Sequence, residues 1–219
     1  RNTNKLVVNR SFQVPIFETN PVTGSAGELW YSKNDKALKF SYSYNTWSAG
    51  GAMIIGRNNA MYAGTQNAAL AFGGYVLTGT ATTGSAEEYN GSAWAVGGAL
   101  PEGQKQGVGT GTQNAALSMG GADSPTNRTA AYNGTTWTAV ANLITGRYGL
   151  GGAGSQNAAL VFGSYSPSPR AQTEAYNGMT WVVGGTLITG RGYAASSGTV
   201  NAALFAGGLP GTQNLTEEY

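Results

Sequence analysis

The sequence predicts an all-β protein made of about four copies of one structural unit. The phrase Asn-Ala-Ala-Leu occurs four times at spacings of 47, 43 and 44 residues, beginning at Asn67, Asn114, Asn157 and Asn201. A tryptophan repeats at the same spacings, at Trp47, Trp94, Trp137 and Trp181. Because two separate markers advance together, the chain repeats a unit of about 44 residues, a period typical of architectures in which each unit buries its apolar face against a neighbour.

The Asn-Ala-Ala-Leu segment has the pattern of a β-strand that is covered on both faces. In the first copy, Ala68, Leu70 and Phe72 alternate with Ala69 and Ala71, so both faces of the strand are apolar. One face carries large side chains and the other carries small ones. Sheets that pack radially around an axis need this difference, because the space between them narrows toward the axis. The fourth copy moves its aromatic residue by one position, which changes the face to which that residue points.

Glycines mark the end of each central strand. The doublets are Gly73-Gly74, Gly120-Gly121, Gly163-Ser164 and Gly207-Gly208. Glycine permits positive φ and a close approach of the backbone. Because a serine replaces the second glycine of the third doublet, we expect only the first glycine to be indispensable.

An Asn-Gly step precedes three of the tryptophans, at Asn90, Asn133 and Asn177. Asn-Gly is the strongest short signal for a β-hairpin. The connection is either a two-residue turn or a longer loop with glycine in the left-handed region. The same residues also match the acceptor pattern for N-glycosylation, but the turn interpretation is favoured because the motif keeps the repeat period.

Composition excludes several classes of function. Only 10% of the 219 residues are charged, the net charge is +2 and no run of Lys or Arg is present, so we expect no nucleic-acid binding. Cysteine and histidine are absent, which removes disulfides, thiolate metal sites and histidine-activated nucleophiles. No apolar stretch approaches 18 residues, so we expect no membrane insertion. The glutamates mostly follow the repeat, whereas a catalytic group would break it; we therefore predict no catalytic residues, no metal and no cofactor.

The repeat also predicts pairs of arginine and glutamate within the units. The candidate structural pairs are Arg57 with Glu87, Arg147 with Glu174, and Arg191 with Glu217, whereas the second unit has Gln104 and Ala130 at these positions. We expect a partly buried bidentate pair, because losing one partner strands a charge while losing both can be nearly neutral. The alternative is a ring of arginines that collects an anion in a central channel.

Residues 42–219 resemble the kelch repeat. The resemblance rests on the Gly-Gly doublet, the tyrosine 11 to 15 residues later, the tryptophan five residues after it, and the arginine before the central strand. It implies a kelch-like β-propeller of about four blades, with repeats at about 48–89, 94–132, 137–176 and 181–219. The repetition stops at Tyr219, where another tryptophan strand is expected. That strand is supplied by the segment around Trp47, by a continuation of the chain, or by a neighbouring subunit.

The N-terminal part carries a second resemblance. Gly27-Glu-Leu-Trp-Tyr31, Leu38-Lys-Phe40 and Trp47 resemble a short module of phage tail-fibre and capsid-fibre proteins, and the repeat phrase resembles structural proteins of marine phages. Residues 28–47 are predicted to form a β-hairpin module, with a turn at Asn34-Asp35. Residues 1–27 are predicted to be an extended anchoring arm that docks onto another virion protein.

These resemblances imply a non-enzymatic virion structural protein of a bacteriophage: a tail fibre, capsid decoration or adaptor subunit on the particle surface or tail. We expect a homo-oligomer that serves assembly or host attachment. The loops after the doublets vary most; such loops commonly carry recognition, and the alternative is that their variation is simply tolerated. Tyr75 and Tyr165 are therefore candidate surface recognition residues for a host-surface glycan. The alternative is a secreted carbohydrate-binding kelch-type propeller.

Overall fold

The computed structural model describes residues 16–17, 29–40, 47–76, 81–122, 126–165, 168–211 and 213–219. This part of the chain is all-β and contains four small sheets arranged as a four-bladed β-propeller, so the predicted fold class is confirmed. The chain divides into two compact units, Arg1–Ala49 and Gly50–Tyr219. In the described residues, no helix has the length and apolar character needed to cross a membrane.

The first unit contains a three-stranded sheet of β1 (Ile16–Phe17), β2 (Leu29–Ser32) and β3 (Ala37–Phe40). β2 and β3 form the expected antiparallel hairpin, and the main-chain N–H of Asp35 donates to Ser32 Oγ over 3.2 Å in its turn. β1 lies within the predicted arm. It pairs in parallel with β2, because the outer edge of β2 offers main-chain groups that a short strand can satisfy. The rest of the predicted arm lies outside the described residues.

The second unit contains the propeller, and the strands of each blade follow one another along the chain. The first blade consists of β4 (Met61–Thr65), β5 (Ala68–Phe72), a side hairpin of β6 (Tyr75–Val76) and β7 (Ala81–Thr82), then β8 (Ala86–Tyr89) and β9 (Trp94–Gly97). The second consists of β10 (Val108–Thr112), β11 (Ala115–Met119), β12 (Thr129–Tyr132) and β13 (Trp137–Ala139). The third consists of β14 (Gly151–Gly154), β15 (Ala159–Ser164), β16 (Arg170–Tyr176) and β17 (Trp181–Val183). The fourth has three described strands, β18 (Ala195–Thr199), β19 (Ala202–Ala206) and β20 (Thr216–Glu218).

The blades are offset from the predicted repeat ranges, because each tryptophan strand pairs with the strand before it. Tyr89 lies opposite Trp94. The connection between β8 and β9 is therefore a loop of residues 90–93 and not a two-residue turn. Gly91 is in the left-handed region, with φ of 92°. Asn90 Oδ1 accepts hydrogen bonds from the main-chain N–H groups of Ser92 and Ala93 over 3.0 and 2.9 Å. The tryptophan therefore begins the fourth strand of the blade that the preceding Asn-Ala-Ala-Leu segment starts.

Neighbouring blades pack a face of large side chains against a face of small and aromatic ones. Leu70 and Phe72 of the first blade share a buried cluster with Ala116, Tyr132 and Trp137 of the second. The same arrangement recurs between the second and third blades and between the third and fourth. Each interface therefore joins two different faces: the large face of one blade packs on the small face of the next.

A glutamine amide adds a polar link between blades. Gln113 Nε2 donates to the carbonyls of Ala69 and Tyr89 over 3.0 and 2.7 Å. Gln156 Nε2 makes the same two contacts one blade later. The innermost strands β4, β10, β14 and β18 lie side by side in that order, and in the described part of the chain no contact of comparable extent joins β18 to β4. The first and fourth blades thus leave an open side.

Candidate functional site

The structure brings the arginine and glutamate of each predicted pair together inside one blade. Arg57 Nη2 lies 2.5 Å from Glu87 Oε1, and both side chains are almost fully buried. Arg147 pairs with Glu174 and Arg191 with Glu217 in the same way. Because each guanidinium is buried within its own blade, the three arginines do not form the anion-collecting ring of the alternative interpretation.

Each pair also satisfies main-chain groups at the end of the central strand. Glu87 accepts hydrogen bonds from the N–H groups of Ile54 and Ile55 over 2.7 and 3.1 Å, and Arg57 Nη1 donates to the carbonyl of Gly73 over 3.0 Å. The other two glutamates accept from the corresponding N–H groups. The pair therefore joins the segment that precedes the first strand of a blade, such as Ile54 and Ile55 before β4, to the central strand of that blade.

Burial and pairing act in opposite directions on the pKa values of these groups. Burial lowers the pKa of Arg147, and the charge of Glu174 opposes that effect. Burial alone would raise the pKa of Glu217, but hydrogen bonds from Arg191 and from the N–H groups of Ile188 and Thr189 make the net shift downward. The carboxylate of Glu217 is therefore ionised at neutral pH.

The second blade replaces this ion pair with neutral groups. Ser118 Oγ donates to Gln104 Oε1 over 2.6 Å, and both residues are buried. Pro101 stands where the other blades have Ile54, Ile144 and Ile188, so it lacks the N–H group that a glutamate would accept. A cleft lined by Pro101, Gln104 and Ala130 lies at this place.

A main-chain belt links the four blades at one repeat position. Asn59, Gln106, Gly149 and Tyr193 all lie two residues after the arginine position, and all have positive φ, with values of 52°, 58°, 63° and 52°. The N–H of each later residue donates to the carbonyl of the one before it, over 2.9, 2.9 and 2.8 Å. This belt provides a fixed base for the side chains beside it.

Three tyrosines form a cluster beside the belt, and we call Tyr148, Tyr165 and Tyr193 the tyrosine cluster. The ring centroids of Tyr165 and Tyr193 are 5.1 Å apart, and Tyr148 lies 6.4 and 6.5 Å from them. Tyr165 and Tyr193 remain 40% and 42% exposed. A Cβ atom at Gly149 would lie 3.0 Å from both of these tyrosines, so the glycine allows their close approach.

The sequence predicted only one member of this cluster. Tyr165 was a candidate recognition residue, whereas Tyr148 and Tyr193 were missed. The signal that could have found them is a departure from the repeat, because the other blades have different residue types at both positions. Tyr75 occupies the same repeat position as Tyr165 but instead faces the ammonium group of Lys105, 5.2 Å from its ring centroid.

The tyrosine cluster offers aromatic faces and hydroxyl groups. Burial raises the pKa of Tyr193, the neighbouring Tyr148 and Tyr165 add to this effect, and a hydrogen bond from Gln106 opposes it. The phenol is therefore protonated at neutral pH and can donate a hydrogen bond. Within the described residues, no group of three or more acidic, histidine or cysteine side chains could hold a metal ion. The cluster is thus suited to a neutral ligand with an apolar face and hydroxyl groups.

The sequence matches no protein-family model and no curated protein.

Proposed function

We propose that this chain is a non-enzymatic structural protein of a tailed-phage virion, a tail fibre, capsid decoration or adaptor subunit. Its N-terminal part anchors it to other virion proteins, and its propeller attaches to the host surface through the tyrosine cluster. The observation that carries the attachment role is the exposure of Tyr193, a member of the belt that joins all four blades, and of Tyr165 beside it. Recognition residues are commonly held in this way on a rigid scaffold.

The chemistry of the cluster favours a glycan as the host-surface ligand. Tyrosine combines a large apolar ring with a polar tip and loses little conformational freedom on binding. A pyranose ring presents an apolar face of C–H groups and a rim of hydroxyl groups, so it can use both properties. The low overall charge of the chain agrees with a neutral ligand. The phage assignment itself rests on the resemblance of the N-terminal hairpin module to phage fibre proteins.

A second candidate function is a secreted carbohydrate-binding propeller. The same tyrosine cluster favours it, because the proposed ligand chemistry is identical. The two candidates differ in whether the protein is part of a virus particle. They are therefore separated by the location of the protein and not by its ligand.

The attachment role is tested by binding of the purified, fluorescently labelled chain to a panel of bacterial cells and purified surface polysaccharides. Tyr165→Ala with Tyr193→Ala should weaken binding roughly tenfold or more, because exposed aromatic anchors dominate such interfaces. Val96→Ala is the matched control, since Val96 is 77% exposed on the outer strand of another blade. Equal binding by the two variants would exclude the tyrosine cluster as the attachment site.

The particle assignment is tested by antibodies against the purified chain. Gold labelling of phage particles from the source culture should mark the tail or the capsid. Detection of the protein only as a free secreted species would contradict the virion assignment and favour the second candidate.

A further inference from the structure

Two tryptophans fill matching sockets between neighbouring blades. Trp137 begins the fourth strand of the second blade, and its ring centroid lies 4.7 Å from that of Phe72 in the first blade. Trp181 begins the fourth strand of the third blade and shares a buried cluster with Met119 of the second; its Nε1 donates to the carbonyl of Ala141 over 2.9 Å. Each tryptophan is only 7% exposed. The outermost strand of a blade thus closes the interface with the blade before it.

The corresponding socket between the third and fourth blades is an open cleft. It is lined by Phe162, Leu187 and Tyr219, which occupy the repeat positions of Phe72, Leu100 and Tyr132 in the first socket. The cleft spans about 330 Å³ when the open solvent at its mouth is included. β20 is the last strand of this three-stranded sheet in the described part of the chain, so both the tryptophan and its strand are lacking from this socket.

The segment that starts at Trp47 has the sequence of such a strand. Thr46-Trp47-Ser48-Ala49 matches Thr136-Trp137-Thr138-Ala139 at three of four positions. Trp47 is fully exposed, at 103%. Gly51 in the first blade and Gly98 in the second occupy the same repeat position and pack in the same way. A Cβ atom at Gly51 would lie 2.3 Å from the carbonyl oxygen of Ser92, and one at Gly98 would lie 2.1 Å from that of Thr135.

The open sides of the first and fourth blades are complementary. Leu204 of the fourth blade is 40% exposed, whereas its three equivalents, Leu70, Leu117 and Leu160, are fully buried. The small face of the first blade is only half-buried at Ala69, Tyr89 and Trp94, whereas the equivalent residues of the next two blades are buried. Gln66 is exposed, although Gln113 and Gln156 at the same repeat position link neighbouring blades. One chain thus carries the two halves of a fourth interface of the kind it already contains three times.

We propose that a second copy of this chain occupies the open side. The first blade of the second copy packs its small face on the Leu204 face of the fourth blade. Residues 47–49 of the second copy pair with β20 of the first. Trp47 of the second copy enters the socket that Phe162, Leu187 and Tyr219 form in the first. Because β18 and β4 of one chain are not in comparable contact, the copies associate head to tail. A heterologous contact of this kind produces a ring or a filament. This inference does not rest on the proposed function.

Directed cross-linking tests the exchange, since the chain has no cysteine of its own. In the first blade Glu88 lies opposite Ala95, so Glu218 of one copy should lie opposite Ser48 of the other. Glu218→Cys and Ser48→Cys, purified separately and mixed under mild oxidation, should give a disulfide-linked heterodimer. Glu218→Cys mixed with Thr138→Cys is the matched control, because Thr138 holds the position of Ser48 in a strand that is already paired.

Trp47→Ala provides the second arm. Trp47 is exposed in the single chain, so this substitution should leave the fold intact, as circular dichroism can show. It should abolish the specific cross-link and reduce the mass measured by light scattering to that of one chain. The proposal is overturned if Ser48→Cys cross-links no better than Thr138→Cys or if Trp47→Ala leaves the oligomer unchanged. It is also overturned if a chain carrying both Ser48→Cys and Glu218→Cys closes its own disulfide as a monomer.

Discussion

Ser118 donates a hydrogen bond of 2.6 Å to Gln104 at the place where the other three blades have a buried ion pair. Both charges are lost: Gln104 replaces the arginine, Ala130 replaces the glutamate, and Pro101 lacks one of the two N–H groups that donate to the glutamate in the other blades. A buried pair that loses one partner leaves an uncompensated charge, whereas replacement of both partners can be nearly neutral. The second blade therefore lacks both charges, the replacement that is expected to cost the least free energy of unfolding.

The same logic predicts the behaviour of the third blade. Glu174→Ala should destabilise the protein by about 3–5 kcal/mol, because the charge of Arg147 would be buried without an opposite charge. Arg147→Gln combined with Glu174→Ala, which copies the second blade, should cost less than Glu174→Ala alone. Urea unfolding followed by intrinsic fluorescence measures both. A double variant less stable than the single one would contradict this interpretation.

Acid should weaken the fourth blade through Glu217. Its folded-state pKa lies below the ordinary value of about 4.3, so the unfolded chain binds this proton more readily. The resulting stabilisation is present above about pH 4.3 and is lost as the pH falls through the lower folded-state pKa. Glu217→Gln should therefore flatten the fall of the melting temperature in this range. Glu218→Gln, at an exposed neighbour, should leave the profile as it is in the parent chain.

The two positions of the third doublet should respond differently to a methyl group. Gly163 has φ of 65°, and a Cβ atom there would lie 2.4 Å from the carbonyl oxygen of Arg191. Gly163→Ala should lower the free energy of unfolding by more than about 1 kcal/mol. Ser164→Ala should be neutral or stabilising, because Ser164 Oγ is buried without a hydrogen-bond partner. Thermal unfolding compares the two; equal losses would show that both positions tolerate a side chain equally.

The glutamine link should contribute to the contact between the second and third blades. Gln156→Ala leaves the carbonyls of Ala116 and Tyr132 without the amide donor, so a loss of about 1–3 kcal/mol is expected from two hydrogen bonds. Gln66→Ala is the control, because Gln66 is exposed in the single chain. Urea unfolding at low protein concentration should show a loss for Gln156→Ala only. Parallel losses would mean that the amide acts within its own blade.

The strand patterns and the ion pairs could be predicted because both are periodic in the sequence. Leu70 and Phe72 alternate with small residues. The positions of Arg57 and Glu87 are both substituted in the second unit, whereas the other units keep both residues. The tyrosine cluster could not be found in this way, because Tyr148 and Tyr193 are 45 residues apart and occupy different repeat positions. The pairing of Ile16–Phe17 beside the hairpin was also unpredicted, since a two-residue strand carries no periodic signal.

The sequence by itself determined the number of repeats, the two-faced central strand and the choice of charge partners, because each is a local pattern copied along the chain. Tertiary structure alone decided which residues meet across blades. It gathered the tyrosine cluster, assigned each tryptophan strand to the preceding blade, and left Leu204 exposed beside an open tryptophan socket. The physical reason is that the radial packing of blades brings together side chains that are a full repeat or more apart.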